Sequence, residues 1–204
     1  GEETALLERN NKEIFWYLIG DSFTQGSCVQ QNETFASQIR NFDKKSAISL
    51  GMAGNGPLIE LASLKEYSKV SKPKVVLWFY FERNDLSDLS YEKSNPILMN
   101  YLEENFSQNL YIRQEEIDKK IKNYIMIIKK NLSNGSSLNK SKEENFYSFK
   151  KIIRLKIIRD KMSLDRGLQF DIDPLFKEII SNANNFVNKF DGKLYFVYLP
   201  DKER

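Results

Sequence analysis

Short apolar runs alternate along the chain with longer segments whose apolar residues recur at helical spacing. Ile14–Ile19 is a continuous aromatic and β-branched run that enters the turn Gly20-Asp21-Ser22, the pattern of a strand buried on both faces. Glu33–Phe42 follows with Phe35, Ile39 and Phe42 spaced to share one helix face. Ser46–Leu50 reads as a second short strand, closed by Gly51, Gly54 and Gly56. Pro57 suits the first turn of a helix carrying Leu58, Leu61, Leu64 and Tyr67, and Lys72-Pro73 marks its limit. Val75–Phe81 is the strongest strand signal in the chain. Asp173 as N-cap and Pro174 at the first helical position open a helix to Phe190. Its apolar side is Leu175, Phe176, Ile179, Ile180, Phe186 and Val187, and Lys193–Leu199 is the fourth strand. Strands alternating with helices predict an α/β fold with a parallel sheet covered on both faces, into whose core Trp16 and Trp78 point.

Between the third and fourth strands the pattern changes. From Glu82 to about Asn145 the chain is rich in Asn, Ser, Lys and Glu, and Ser133–Asn139 reads as a loop. Glu115–Lys130 and Phe146–Met162 read as helices with basic polar faces. We take about 91–170 as a helical, basic insertion or lid in a single domain spanning 1–204. Leu110–Arg166 holds 15 Lys/Arg and 7 Asp/Glu, a net of +8, and its basic helices are read as solvated faces.

Composition narrows the function classes. The chain has 204 residues, 41% hydrophobic and 29% charged, the balance of a globular domain with a real core. No apolar run approaches the roughly 18 residues of a membrane span. A net charge of +3 gives no argument for a nucleic-acid partner. The single cysteine, Cys28, forms no internal disulfide and reads as a small buried residue. The chain contains no histidine, which excludes, within these residues, histidine-based metal sites and any Ser-His or Cys-His pair. No metal or cofactor is expected.

Candidate chemistry collects at three successive strand ends. In open α/β sheets ligands bind outside the carboxyl ends of the strands. Those ends carry Gly20-Asp21-Ser22, then the Gly51–Gly56 loop, then Asn84-Asp85. Ser22 lies on a tight turn entering a helix-forming segment, either as an exposed hydroxyl or as a capping serine. Gly51, Gly54 and Gly56 can let a substrate approach backbone donors closely, or can be a plain connection. A phosphate-cradling, nucleotide-binding loop is a third reading of the same glycines. The Asn84 side chain can donate to an oxyanion. Alternatively Asn84 is an ordinary turn residue, with Glu82, Arg83 and Asp85 forming a salt-linked surface turn.

These three segments, in this order and spacing, resemble the blocks of SGNH/GDSL hydrolases. Ile19–Gly26 resembles the first block, Ser49–Gly54 the second, and Glu82-Arg83-Asn84-Asp85 the third, with Glu82 in place of its usual first glycine. The resemblance implies a three-layer α/β/α, flavodoxin-like fold. It implies Ser22 as nucleophile and oxyanion N–H donor, Gly54 (or Gly51) as the second donor and the Asn84 side chain as the third, supported by Gly20, Asp21, Gly51 and Asp85. The implied activity is hydrolysis or transfer of small acyl groups, such as O-acetyl, on a glycan or lipid, without cofactor or metal. A non-catalytic relative that only binds such a ligand is the alternative. Many relatives work on cell-surface polymers, which favours the envelope while leaving the cytoplasm as the alternative. The family's last block, Asp-x-x-His, has no counterpart here: Asp201 is followed three positions on by Arg204. The expectation is a chain cut before that block and nearly inactive by itself.

Overall fold

The computed structural model describes residues 14–133 and 173–201. The helix expected over Phe146–Met162 and nearly all of the Ser133–Asn139 loop lie outside them. Four strands form one parallel sheet: β1 (Trp16–Ile19), β2 (Ala47–Ser49), β3 (Val75–Phe81) and β4 (Lys193–Leu199), in the order β2-β1-β3-β4. This is the doubly wound arrangement, whose order reverses between β1 and β3. The helices are α1 (Ser22–Gln25), α2 (Phe35–Asp43), α3 (Pro57–Tyr67), α4 (Asp85–Glu92), α5 (Pro96–Met99), α6 (Gln114–Ser133) and α7 (Pro174–Asn188), with short 3₁₀ turns at Gln31–Glu33 and Asn100–Leu102.

Side chains alternate across the strands, so successive residues serve opposite layers. Tyr17 and Ile19 of β1 and Val76 and Trp78 of β3 join Leu58, Leu61 and Leu64 of α3, Leu89 of α4, and Ile179, Ala183 and Val187 of α7 in the larger core. Leu18 and Phe79 face the other side with Ala36 of α2 and Ala47 of β2. Helices therefore cover both faces. Each fully buried leucine of α3 contributes roughly 1.5–3 kcal/mol.

Two packing expectations are corrected. Helix α2 turns Ala36 and Ser37 inward, leaving Phe42 92% exposed, while Phe35 stacks on Phe79 at 4.8 Å. Trp78 is fully buried, but Trp16 is half-buried and donates its indole N–H to Asp43 Oδ2 (2.7 Å). Strand β4 is an edge among the described residues, and Tyr195, Phe196 and Tyr198 are exposed.

The chain divides into two compact units, 1–111 with 172–204, and 112–171. In the second, α6 is an amphipathic helix with exposed Ile121, Tyr124 and Ile125, and Glu116 pairs with Arg113 and Lys120. In the first, the buried Glu66 at the end of α3 anchors the segment after α5. It accepts from Tyr101 Oη (2.7 Å), Ser107 Oγ (2.7 Å), Gln108 N (2.6 Å) and Leu110 N (2.8 Å). Burial pushes its carboxyl up, but these donors together hold it below its ordinary value. Glu66 therefore stabilises the fold at neutral pH and loses that contribution as pH falls through its folded value. Glu66→Ala leaves four donors unpaired and is expected to cost about 3 kcal/mol in urea denaturation, with Phe42→Ala near zero as control.

Candidate active site

The chain leaves β1 through a turn that only glycine fits. A Cβ on Gly20 would lie 2.1 Å from Thr24 Oγ1 and 3.2 Å from Phe79 Cβ. Asp21 is buried and caps α1, its Oδ1 accepting from Phe23 N at 2.9 Å. The capping role thus belongs to Asp21, and Ser22 is the first helical residue, half-buried, with its Oγ 3.4 Å from Asp21 Oδ2. Gly26 closes the helix in the left-handed conformation (φ +78°). Phe23 turns outward onto Phe81, ring centroids 4.3 Å apart.

The second loop is fastened to this turn. A Cβ on Gly51 would lie 2.9 Å from Asp21 O and 2.8 Å from Gln25 N. Ser49 Oγ donates to Thr24 O (2.8 Å), Met52 N donates to Gly20 O (3.4 Å), and Ala53 N donates to Gln25 Oε1 (2.8 Å). Gly51 N itself is directed at Ser49 Oγ (3.3 Å). Gly54 is exposed at φ +87° with open space where a side chain would stand. No hydrogen bond joins it to Ser22 or Asn84 among the described residues.

The third strand end closes the group. Asn84 precedes α4 without capping it through its side chain. Its Nδ2 donates to Asp88 Oδ2 at 2.8 Å and lies 3.4 Å from Asp21 Oδ2. Ser22, Asp21 and Asn84 are thus joined through one carboxylate oxygen. Asp85 is no surface residue: it is fully buried, and its Oδ2 accepts from Phe81 N at 2.8 Å. The salt-linked part of the turn is Arg83, whose Nε lies 3.8 Å from Asp201 Oδ2, and Asp201 N donates to Glu82 Oε2 at 3.3 Å.

Behind these residues stands a set of carboxylates that the strand-end motifs do not reveal. Glu92, buried at the end of α4, accepts from Gly56 N (2.7 Å) and Leu58 N (2.9 Å), the start of α3. Glu60, on α3, is fully buried and neither carboxylate oxygen makes a hydrogen bond. Burial first, then the Asp85, Glu92 and Asp21 carboxylates, push Glu60 well above the carboxylate range, with the Trp78 indole opposing weakly. Burial likewise raises Asp85 to about 8 and Glu92 to about 7. The signal in the sequence is the Asn84, Asp88, Glu92 spacing, four residues apart on one helix face. Among the described residues no group of three or more His, Cys, Asp or Glu side chains is arranged to hold a metal ion. Cys28 is exposed, not buried. A cavity of about 210 Å³ is lined by Ile14, Phe15, Lys45, Ser46, Lys72 and Lys74, at the amino ends of the strands and so away from this site.

A raised folded-state pKa gives stability that is complete below the unfolded value and is lost as pH rises through the folded one. Folding free energy is therefore expected to fall between roughly pH 5 and pH 8.5 as Glu92 and Asp85 give up their protons. Urea titrations across that range check it, and Asp85→Asn with Glu92→Gln should flatten the slope. A slope unchanged by the double substitution would refute the assignment.

No family model matches the chain, and no curated protein does. Among solved structures, it is similar to AlinE4, an SGNH-hydrolase family esterase, at 18% identity over 33% of this chain and 39% of that one, with a TM-score of 0.27. That alignment spans about two fifths of the esterase. A serine-to-alanine mutant of the same esterase aligns at 9% identity over 62% of this chain and 98% of that one, with a TM-score of 0.28.

Proposed function

We propose that the chain carries the nucleophile and oxyanion donors of a serine-dependent carboxylic-ester hydrolase or acyl transferase of the SGNH type. The observation that carries this reading is the meeting of Ser22 Oγ and Asn84 Nδ2 at one Asp21 oxygen, at the carboxyl ends of adjacent strands. Asp21 takes the cap and leaves the Ser22 hydroxyl for other work.

In this reading Ser22 Oγ attacks the ester carbonyl, and negative charge develops on the carbonyl oxygen. The Ser22 N–H, the Gly54 N–H and the Asn84 amide donate to it. Collapse expels the alcohol and leaves an acyl-serine, which water or a second alcohol releases. The substrate class is a small acyl ester, such as an O-acetyl group on a glycan or lipid. The SGNH/GDSL resemblance implies an imidazole in an Asp-x-x-His block as the base that takes the Ser22 proton; the 204 residues hold no histidine, and in this reading the base comes from outside them. Without such a base the same geometry binds an ester and does not turn it over, which is the second reading.

The reading frame past Arg204 separates the two. An Asp-x-x-His there is expected, and the chain extended through it should hydrolyse p-nitrophenyl acetate, with Ser22→Ala abolishing turnover. Asn84→Ala is expected to lower kcat by roughly 10²–10³-fold, the cost of one oxyanion donor. A frame that ends without histidine supports the binding module. The 204-residue chain alone is expected to be nearly inactive; robust turnover by it, lost on Ser22→Ala, would show that the base lies within it.

A further inference from the structure

Asparagine before a helix ordinarily accepts from the first-turn N–H groups, and Asn84 does not. Its backbone is fixed instead: Asn84 O accepts from Asp88 N (2.8 Å) and Ser87 Oγ (2.9 Å). The side-chain amide then reaches Asp88 Oδ2, one turn along the same helix, at 2.8 Å. This charge-assisted bond uses one Nδ2 hydrogen. The other faces Asp21 Oδ2 across 3.4 Å, a long contact that Ser22 Oγ shares at the same length. Turning the amide over would set Oδ1 against two carboxylates, so the Asp88 bond selects the nitrogen-forward orientation. An oxyanion arriving above Ser22 would displace only the long contact.

One turn beyond Asp88, Glu92 holds the other half of the site. Gly56 ends the second loop, and its N–H and that of Leu58 are bound by the Glu92 carboxylate. A Cβ on Gly56 would lie 2.7 Å from Glu92 Oε2 and 2.9 Å from Asp88 Cβ. The loop end thus sits between Asp88 and Glu92, and α4 gauges it against the asparagine at the helix's own start.

We propose that Asp88 and Glu92 are positioning residues of this site: Asp88 orients the Asn84 amide with its nitrogen toward Ser22, and Glu92 keeps the Gly51–Gly56 loop in register with it. This rests on Asn84 acting as an oxyanion donor. Neither carboxylate touches the reacting atoms. Their effect passes through Asn84 and through the loop.

Two measurements test it. In the 204-residue chain, the Asn84 side-chain amide resonances are identified by their loss in Asn84→Ala, with no need for turnover. One proton is expected well downfield of its geminal partner in the native chain, and Asp88→Ala should collapse that separation. Asp88→Asn, which keeps the shape and an acceptor oxygen, should give an intermediate value and guards against misfolding of the alanine variant. In the extended, active chain, Asp88→Ala and Glu92→Gln should each lower kcat by about tenfold or more with KM nearly unchanged, the mark of an interaction realised in the transition state. In an Asn84→Ala background, Asp88→Ala should cost almost nothing further. Amide resonances unmoved by both Asp88 substitutions, or an equal loss of kcat in both backgrounds, would overturn the Asp88 role. A native kcat for Glu92→Gln would overturn the Glu92 role. If Ser22→Ala leaves turnover intact, the esterase reading itself fails, and the resonances still decide whether Asp88 orients Asn84.

Discussion

Strands β1 and β3 are paired in parallel but end at different heights. Ile19 sits opposite Trp78, while β3 continues through Phe79 and Tyr80 to Phe81. The chain leaving β1 must therefore turn over a neighbour that is still extended. That is possible because Gly20 has no side chain to meet Thr24 and Phe79. Thr24 is then buried, Phe23 rests on Phe81, and Asp21 points into the space between the strand ends. Everything at the site follows from this offset, since it sets the Asp21-Ser22 turn beside the chain that emerges from β3 at Asn84.

The arrangement has an electrostatic cost. Asp21, Glu60, Asp85 and Glu92 are all buried, and after burial itself the neighbouring carboxylates push Glu60 and Asp85 further up. Buried charge is tolerated only when it is satisfied. Asp21 and Asp85 accept backbone N–H groups at the two turns, and Glu92 accepts those at the start of α3. Glu60 has no such donors, and burial holds its carboxyl well above the ordinary carboxylate range. The Asn84 Nδ2–Asp88 Oδ2 bond places a side-chain donor against this acidic set.

Much of the framework is legible in the chain because strands and helices announce themselves by period. Continuous apolar runs bound Val75–Phe81 and Lys193–Leu199 correctly, and Asp173-Pro174 marks the start of α7 by its capping chemistry. Period fails where several helix faces carry apolar residues. Of the predicted face Phe35, Ile39 and Phe42, Ile39 packs against the Ala36 cluster and Phe35 stacks on Phe79, but Ala36 and Ser37 are the buried residues and Phe42 is left exposed. Residue type alone places Cys28 inside, but it falls in an exposed loop after α1.

The sequence by itself determined the alternation of elements, the three polar strand ends and the candidates Ser22, Asn84 and the loop glycines. Those depend on local pattern and backbone chemistry, which neighbours in the chain carry. Only the tertiary structure decided that Asp21 and not Ser22 is the cap, and that Asp85 is buried. It also decided that Asn84 is held by Asp88 and that Glu92 clamps the second loop. The Asp21 cap and the Asn84–Asp88 bond join residues two and four apart, where residue type does not say which neighbour fills the role. The Glu92–Gly56 and Asn84–Asp21 contacts span 36 and 63 residues, and strand offset and helix placement, which no local period encodes, bring them together.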